Sequence, residues 1–129
     1  MLQIQNAALF IPGFVPAIQK LSKARGIPAK TAYRLGKITK AILREFTKTE
    51  SKRLAILRAH AQTTESGEWV KNEKGEIQFK DQAAMKAELE ALLAESFTIE
   101  QNPVPLEHLD AADLAPNEIS ELDFMLERE

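Results

Sequence analysis

A chain of 129 residues with 44% hydrophobic side chains has enough apolar material for one folded domain, which excludes wholesale disorder. It has no cysteine, which excludes disulfides and thiolate metal sites, and no apolar run approaches the ~20 residues of a membrane-spanning helix. The formal net charge of −2 conceals two opposite blocks: twelve of the seventeen lysines and arginines lie in residues 1–60 beside only Glu45 and Glu50, and residues 61–129 hold five basic and seventeen acidic side chains.

Such a separation speaks of electrostatic partners rather than of fold. Aromatic residues make up 6%, and alanine, leucine, lysine and glutamate dominate, a mixture that favours helix. One domain over 1–129 is expected, with a basic helical part over about 1–62 and an acidic part over about 63–129. A chain this short with one long helix has little core of its own, so a homo-oligomer is expected.

Leu2-Gln3-Ile4-Gln5 alternates apolar and polar residues, as a strand does. Asn6 to Pro16 is apolar but holds Pro12-Gly13, which predicts a loop or a short helical turn. The stretch has no charged leader and is broken by Pro12, Gly13 and Pro16, so it does not read as a signal peptide. Pro16 is placed to start a helix running to about Ala24, ended by Gly26.

From Pro28 to about Gln62 there is no proline and one glycine, Gly36, which predicts one helix of roughly 50 Å. Leu35, Ile38, Ile42 and Phe46 form its apolar stripe, and Lys30, Arg34, Lys37, Arg44, Lys48 and Lys52 lie roughly 130° away. Thr47 with Glu50 also reads as a capping box, which would split the helix; continuity is favoured.

Glu68-Trp69-Val70-Lys71 and Glu76-Ile77-Gln78-Phe79 flank Asn72-Glu73-Lys74-Gly75, the pattern of a β-hairpin. Asp81 is placed to cap a helix from Gln82 to Ser96 with Met85, Leu89, Leu92 and Leu93 on its apolar face. Phe97 to Glu100 alternates as a strand, Asn102-Pro103-Val104-Pro105 reads as an extended connector, and Leu106 and Leu109 after it are expected to pack while extended. Pro116 starts a last helix. The four short strands are expected to share one small sheet against the long helix, giving an α+β, mostly helical fold without an internal repeat.

His60 and His108 lack the companions of a zinc site or a catalytic triad, and Asp110 with Asp113 lacks the spacing of a calcium loop. No enzyme, cofactor or metal is therefore expected. The candidates that remain are surfaces. Phe10, Phe14, Tyr33, Lys37, Arg44 and Trp69 are the expected interface residues, because an apolar N-terminal segment needs covering and aromatics anchor interfaces. The alternative is nucleic-acid binding through Lys30, Arg34, Lys37, Lys40, Arg44, Lys48 and Lys52.

The order of these elements carries a resemblance. A short strand leads to a basic helix, then to Gly67-Glu68-Trp69-Val70-Lys71-Asn72-Glu73-Lys74-Gly75-Glu76-Ile77-Gln78-Phe79. Glu88 to Glu95, Phe97-Thr98-Ile99-Glu100 and a proline-spaced tail ending in Leu122-Asp123-Phe124-Met125-Leu126 follow. The pattern resembles small uncharacterised proteins of tailed bacteriophages and prophages. That resemblance implies a phage accessory or structural role, in virion or tail assembly or against a host factor. It implies a phage or host protein partner, and a place in the host cytoplasm or the virion.

Overall fold

The computed structural model describes residues 1–127; Arg128 and Glu129, which close the acidic block, lie outside the described residues. The fold is α+β and mostly helical. Strand β1 (Leu2–Gln5) buries Leu2 and Ile4 and exposes Gln3 and Gln5, as its alternation requires. It pairs antiparallel with β2 (Ser96–Ile99), Leu2 opposite Ile99 and Gln5 opposite Ser96. A 3-10 turn (Asn6–Phe10) leads into α1 (Phe14–Lys23). Helix α1 starts two residues before Pro16. The proline is tolerated there because N–H groups of a first turn have no acceptor within the helix.

Helix α2 (Ala29–His60) is continuous through 47–51. The Thr47 hydroxyl donates to the Leu43 carbonyl 3.0 Å away, one turn back, so it does not cap a new helix. Glu50 turns instead to Arg53, at 2.6 and 3.0 Å. Helices α3 (Gln82–Ala94) and α4 (Pro116–Glu121) complete the framework. The Asp81 carboxylate accepts the Ala84 N–H at 3.0 Å, the N-cap that the sequence predicts. The connector over 102–105 holds no helix, and a 3-10 helix covers Leu106–Ala112, where Leu106 and Leu109 are expected to pack in extended chain. Val104, fully buried, exchanges backbone hydrogen bonds with Met125 and Glu127 and pins the end of the chain.

The expected four-stranded sheet does not form. Residues 61–79 build a separate unit beyond the end of α2, and α3 carries the chain back roughly 20 Å before β2 begins. In that unit the Val70 N–H donates to the Gln62 carbonyl (2.8 Å), the Gln78 N–H to Val70 (2.9 Å) and the Gln62 N–H to Gln78 (2.8 Å), closing a ring of three segments. The hairpin of Trp69–Lys71 and Ile77–Phe79 is thus present, but 61–63 joins it as a third member. An internal repeat of eight residues underlies the ring, where none is expected. Thr64…Gly67-Glu68-Trp69 recurs as Asn72…Gly75-Glu76-Ile77, and Gly67 and Gly75 take matching positive φ of 86° and 79°.

The main core lies between α1 and the first half of α2. Phe14, Ala17, Ile18 and Leu21 meet Leu35, Ile38 and Ile42, and Ile4, Ile99, Val104, Leu122 and Met125 close the remaining sides. Phe14 stacks at 5.7 Å on Phe124, and Phe10 at 5.6 Å on Phe46. Asn6, buried at 6% exposure, donates its side-chain N–H to the Leu92 carbonyl at 2.9 Å and its backbone N–H to Glu95 at 2.8 Å. One side chain thereby adds a second donor to the Leu92 carbonyl, which the Glu95 N–H already reaches at 3.3 Å, and fastens the N-terminal turn to the end of α3.

Replacing Asn6 with Ala is expected to cost about 1–3 kcal/mol, the range for losing a buried partner, read as a lower urea midpoint at unchanged slope. Acid sensitivity follows from two carboxylates. Glu118 accepts the Ala115 N–H and then the Lys20 ammonium, and Glu50 accepts the Arg53 guanidinium; both are held below the ordinary value of 4.5. A depressed carboxylate stabilises the fold above its unfolded value and loses that contribution as pH falls through the folded value. Urea midpoints should therefore decline below pH 4.5, and Glu50→Gln with Glu118→Gln should flatten that part of the decline.

Candidate functional site

The core stripe of α2 fixes which residues face outward. Arg44 follows Leu35 by nine positions and so lies roughly 180° from it at ~100° per residue. Lys30, Tyr33, Lys37, Lys40, Arg44 and Lys48 are exposed on this outer face, over roughly 27 Å of helix. Tyr33 is 69% exposed, and the Lys37 ammonium sits 4.6 Å from the centre of its ring, one turn along.

None of Lys30, Lys37, Lys40, Arg44 and Lys48 meets a carboxylate among the described residues. Among the described residues, the Lys20–Glu118 ion pair at 3.1 Å and the His60–Glu88 hydrogen bond at 2.7 Å join the basic part to the acidic part. Neither lies on the outer face. Lys37 with Lys40, Lys40 with Arg44 and Arg44 with Lys48 are like charges three or four residues apart, each pair costing roughly 0.2–0.5 kcal/mol in an isolated helix. The surface thus carries a standing repulsion that an anionic partner would relieve.

The remaining candidates separate. Arg34 is half-buried, and its guanidinium donates to the Pro103 carbonyl at 2.8 Å, so it clamps the proline connector instead of serving the face. Lys52 is exposed on the wall of a groove between α2 and α3. Phe14, 1% exposed, is core and cannot meet a partner. Phe10 is half-buried between Phe46 and Arg53, and Trp69 is half-buried in the three-segment unit past the far end of α2. The expected interface is therefore not one surface: Tyr33, Lys37 and Arg44 belong together, and Phe10, Phe14 and Trp69 do not join them. The apolar N-terminal segment, which needs a covering from this chain or from a partner, is covered largely by this chain's own helices.

Both histidines act as tethers, His60 to Glu88 and His108 Nδ1 to the Thr31 hydroxyl at 2.7 Å. The α2–α3 groove escaped sequence reasoning. Its signal is the opposition of Lys52-x-x-Ala55-Ile56 to Glu88-x-x-Ala91-Leu92-x-x-Glu95 on neighbouring helices.

Among the described residues, no helix is long and apolar enough to cross a membrane, and no three His, Asp or Glu side chains are grouped to hold a metal ion. Comparison with protein-family models, with curated proteins and with solved structures gives no match.

The geometry separates the structural cation from the free ones. Arg34→Ala is expected to lower stability by about 1–2 kcal/mol through the stranded Pro103 carbonyl. Lys37→Ala, Lys40→Ala and Arg44→Ala should each stay within about 0.5 kcal/mol, measured by urea titration.

Proposed function

We propose that this chain is a non-catalytic interaction protein of the phage accessory or structural kind, and that it docks the outer face of α2 onto an acidic protein surface. The role is in virion or tail assembly or in binding a host factor. The observation that carries the reading is the row Lys30, Lys37, Lys40, Arg44 and Lys48, exposed together and unneutralised by the chain's own carboxylates. A second copy supplies a fitting surface, because Glu100, Glu107, Asp110 and Glu127 are exposed on other elements. Contact of basic helix with acidic half passes from copy to copy and gives assemblies weakened by salt.

Nucleic-acid binding is the second reading, favoured by the length of the same row and by the exposed ring of Tyr33 beside it. It asks five cations on one helix to hold phosphates without a recognised groove-reading motif.

Light scattering at about 0.1 M and about 1 M salt separates the readings, because the screening length falls from ~10 to ~3 Å. The expected result is a mass that drops at high salt, and a low-salt mass that drops equally in the triple variant Lys37→Glu, Lys40→Glu, Arg44→Glu. A mass unaffected by salt, together with a gel shift of duplex DNA at micromolar protein, transfers the face to nucleic acid. A salt-independent mass with no gel shift overturns both roles.

A further inference from the structure

The second half of α2 is dressed differently from the first. Past residue 43 its apolar side chains Phe46, Leu54, Ile56 and Leu57 are only half-buried, and α3 covers one flank. The two helices run antiparallel, since His60 at the end of α2 bonds Glu88 in the middle of α3 and the chain turns back through 61–81. Between them lies an open groove of about 430 Å³ floored by Ala55, Ile56, Ala91 and Leu92. Lys52 stands on the α2 wall, and Glu88 and Glu95 stand on the α3 wall.

Counting from the His60–Glu88 contact, Lys52 is eight residues back on α2 and Glu95 seven residues on along α3. Lys52 and Glu95 therefore flank the groove at the same height. They make no ion pair with each other or with any other described residue. A groove with a cation on one wall and a carboxylate level with it on the other is complementary to itself. A two-fold axis running along the groove places α2 of each copy over α3 of the other. Lys52 then meets Glu95 of the second copy twice, once in each direction. Ala55 and Ala91 leave room for close approach, and Ile56 enters the opposing floor.

We infer that this groove is the seat of a symmetric dimer, in which a second copy of the chain packs α2 against α3 and α3 against α2 to form a two-layered bundle of four helices. The contact differs from that of the basic outer face in position and in physics. Its main driving force is apolar burial, which survives salt, whereas docking of the outer face does not.

Sedimentation velocity at about 1 M salt isolates the groove, because charge contacts of the outer face are screened there. A dimer is expected for the wild-type chain and for the Lys37→Glu, Lys40→Glu, Arg44→Glu variant, and a monomer for Ile56→Glu. At about 0.1 M salt, Lys52→Glu and Glu95→Lys should each weaken the dimer about tenfold or more, and the double variant Lys52→Glu with Glu95→Lys should regain most of that loss. Unchanged far-UV circular dichroism and urea midpoints show that the variants remain folded. A monomer at all concentrations overturns the inference. So does a dimer indifferent to Ile56→Glu, or one that the double exchange fails to restore. A dimer that persists while salt-dependent growth is missing sinks the proposed function and leaves the groove standing.

Discussion

The structure depends on the length of α2 relative to the core it faces. A helix of 32 residues is roughly 48 Å long, more than a chain of this size can enclose. Its first half is walled by α1, the β1–β2 pair and the C-terminal turns, and there Leu35, Ile38 and Ile42 are all but fully buried. Its second half leans on α3 and on the 3-10 turn at Asn6–Phe10, with Thr49 alone fully buried beyond Ile42. Among the described residues, the elements that pack on α2 do so from one side. The opposite side is left to solvent along most of its length, and the sequence has filled it with cations.

A helix used in this way needs its coverings fastened, and the fastenings are polar. Asn6 ties the N-terminal turn to the end of α3, Arg34 holds the proline connector, and His108 bonds Thr31 in the first turn of α2. Each is a side chain donating or accepting across a large separation in sequence at 2.7–2.9 Å. Apolar contacts alone would allow these irregular segments to slide. Directional bonds fix their register. Gly13 shows how close the packing becomes, since a Cβ built there would lie 2.6 Å from the Glu121 carboxylate on α4.

Periodicity made much of this legible. The Leu35–Ile38–Ile42 stripe, the alternation of Leu2 to Gln5 and the cap at Asp81 are local patterns, and each element formed where its pattern lies. The site was legible in part. The charge row follows from spacing on one helix, but Arg34 left it because the Pro103 carbonyl comes from a segment 69 residues away. Phe14 looked available because an apolar loop and an apolar core residue have the same composition, and only packing tells them apart. The three-segment unit was hidden for another reason. Gln62 and Thr63 carry no strand signature, and the repeat that recruits them rests on turn residues and glycines. The groove between α2 and α3 joins residues whose proximity exists only after the chain doubles back.

That doubling back is done by the ring around Gln62, Val70 and Gln78. An isolated hairpin would present two bare rows of backbone groups at the tip of a long exposed helix, each a template for strands of another molecule. In the ring every central segment both gives a hydrogen bond and receives one, and the third segment returns to the first. The open rim of a small sheet is thereby replaced by a closed loop of bonds. The unit that follows α2 is shielded from unspecific strand addition, and association is left to side-chain surfaces.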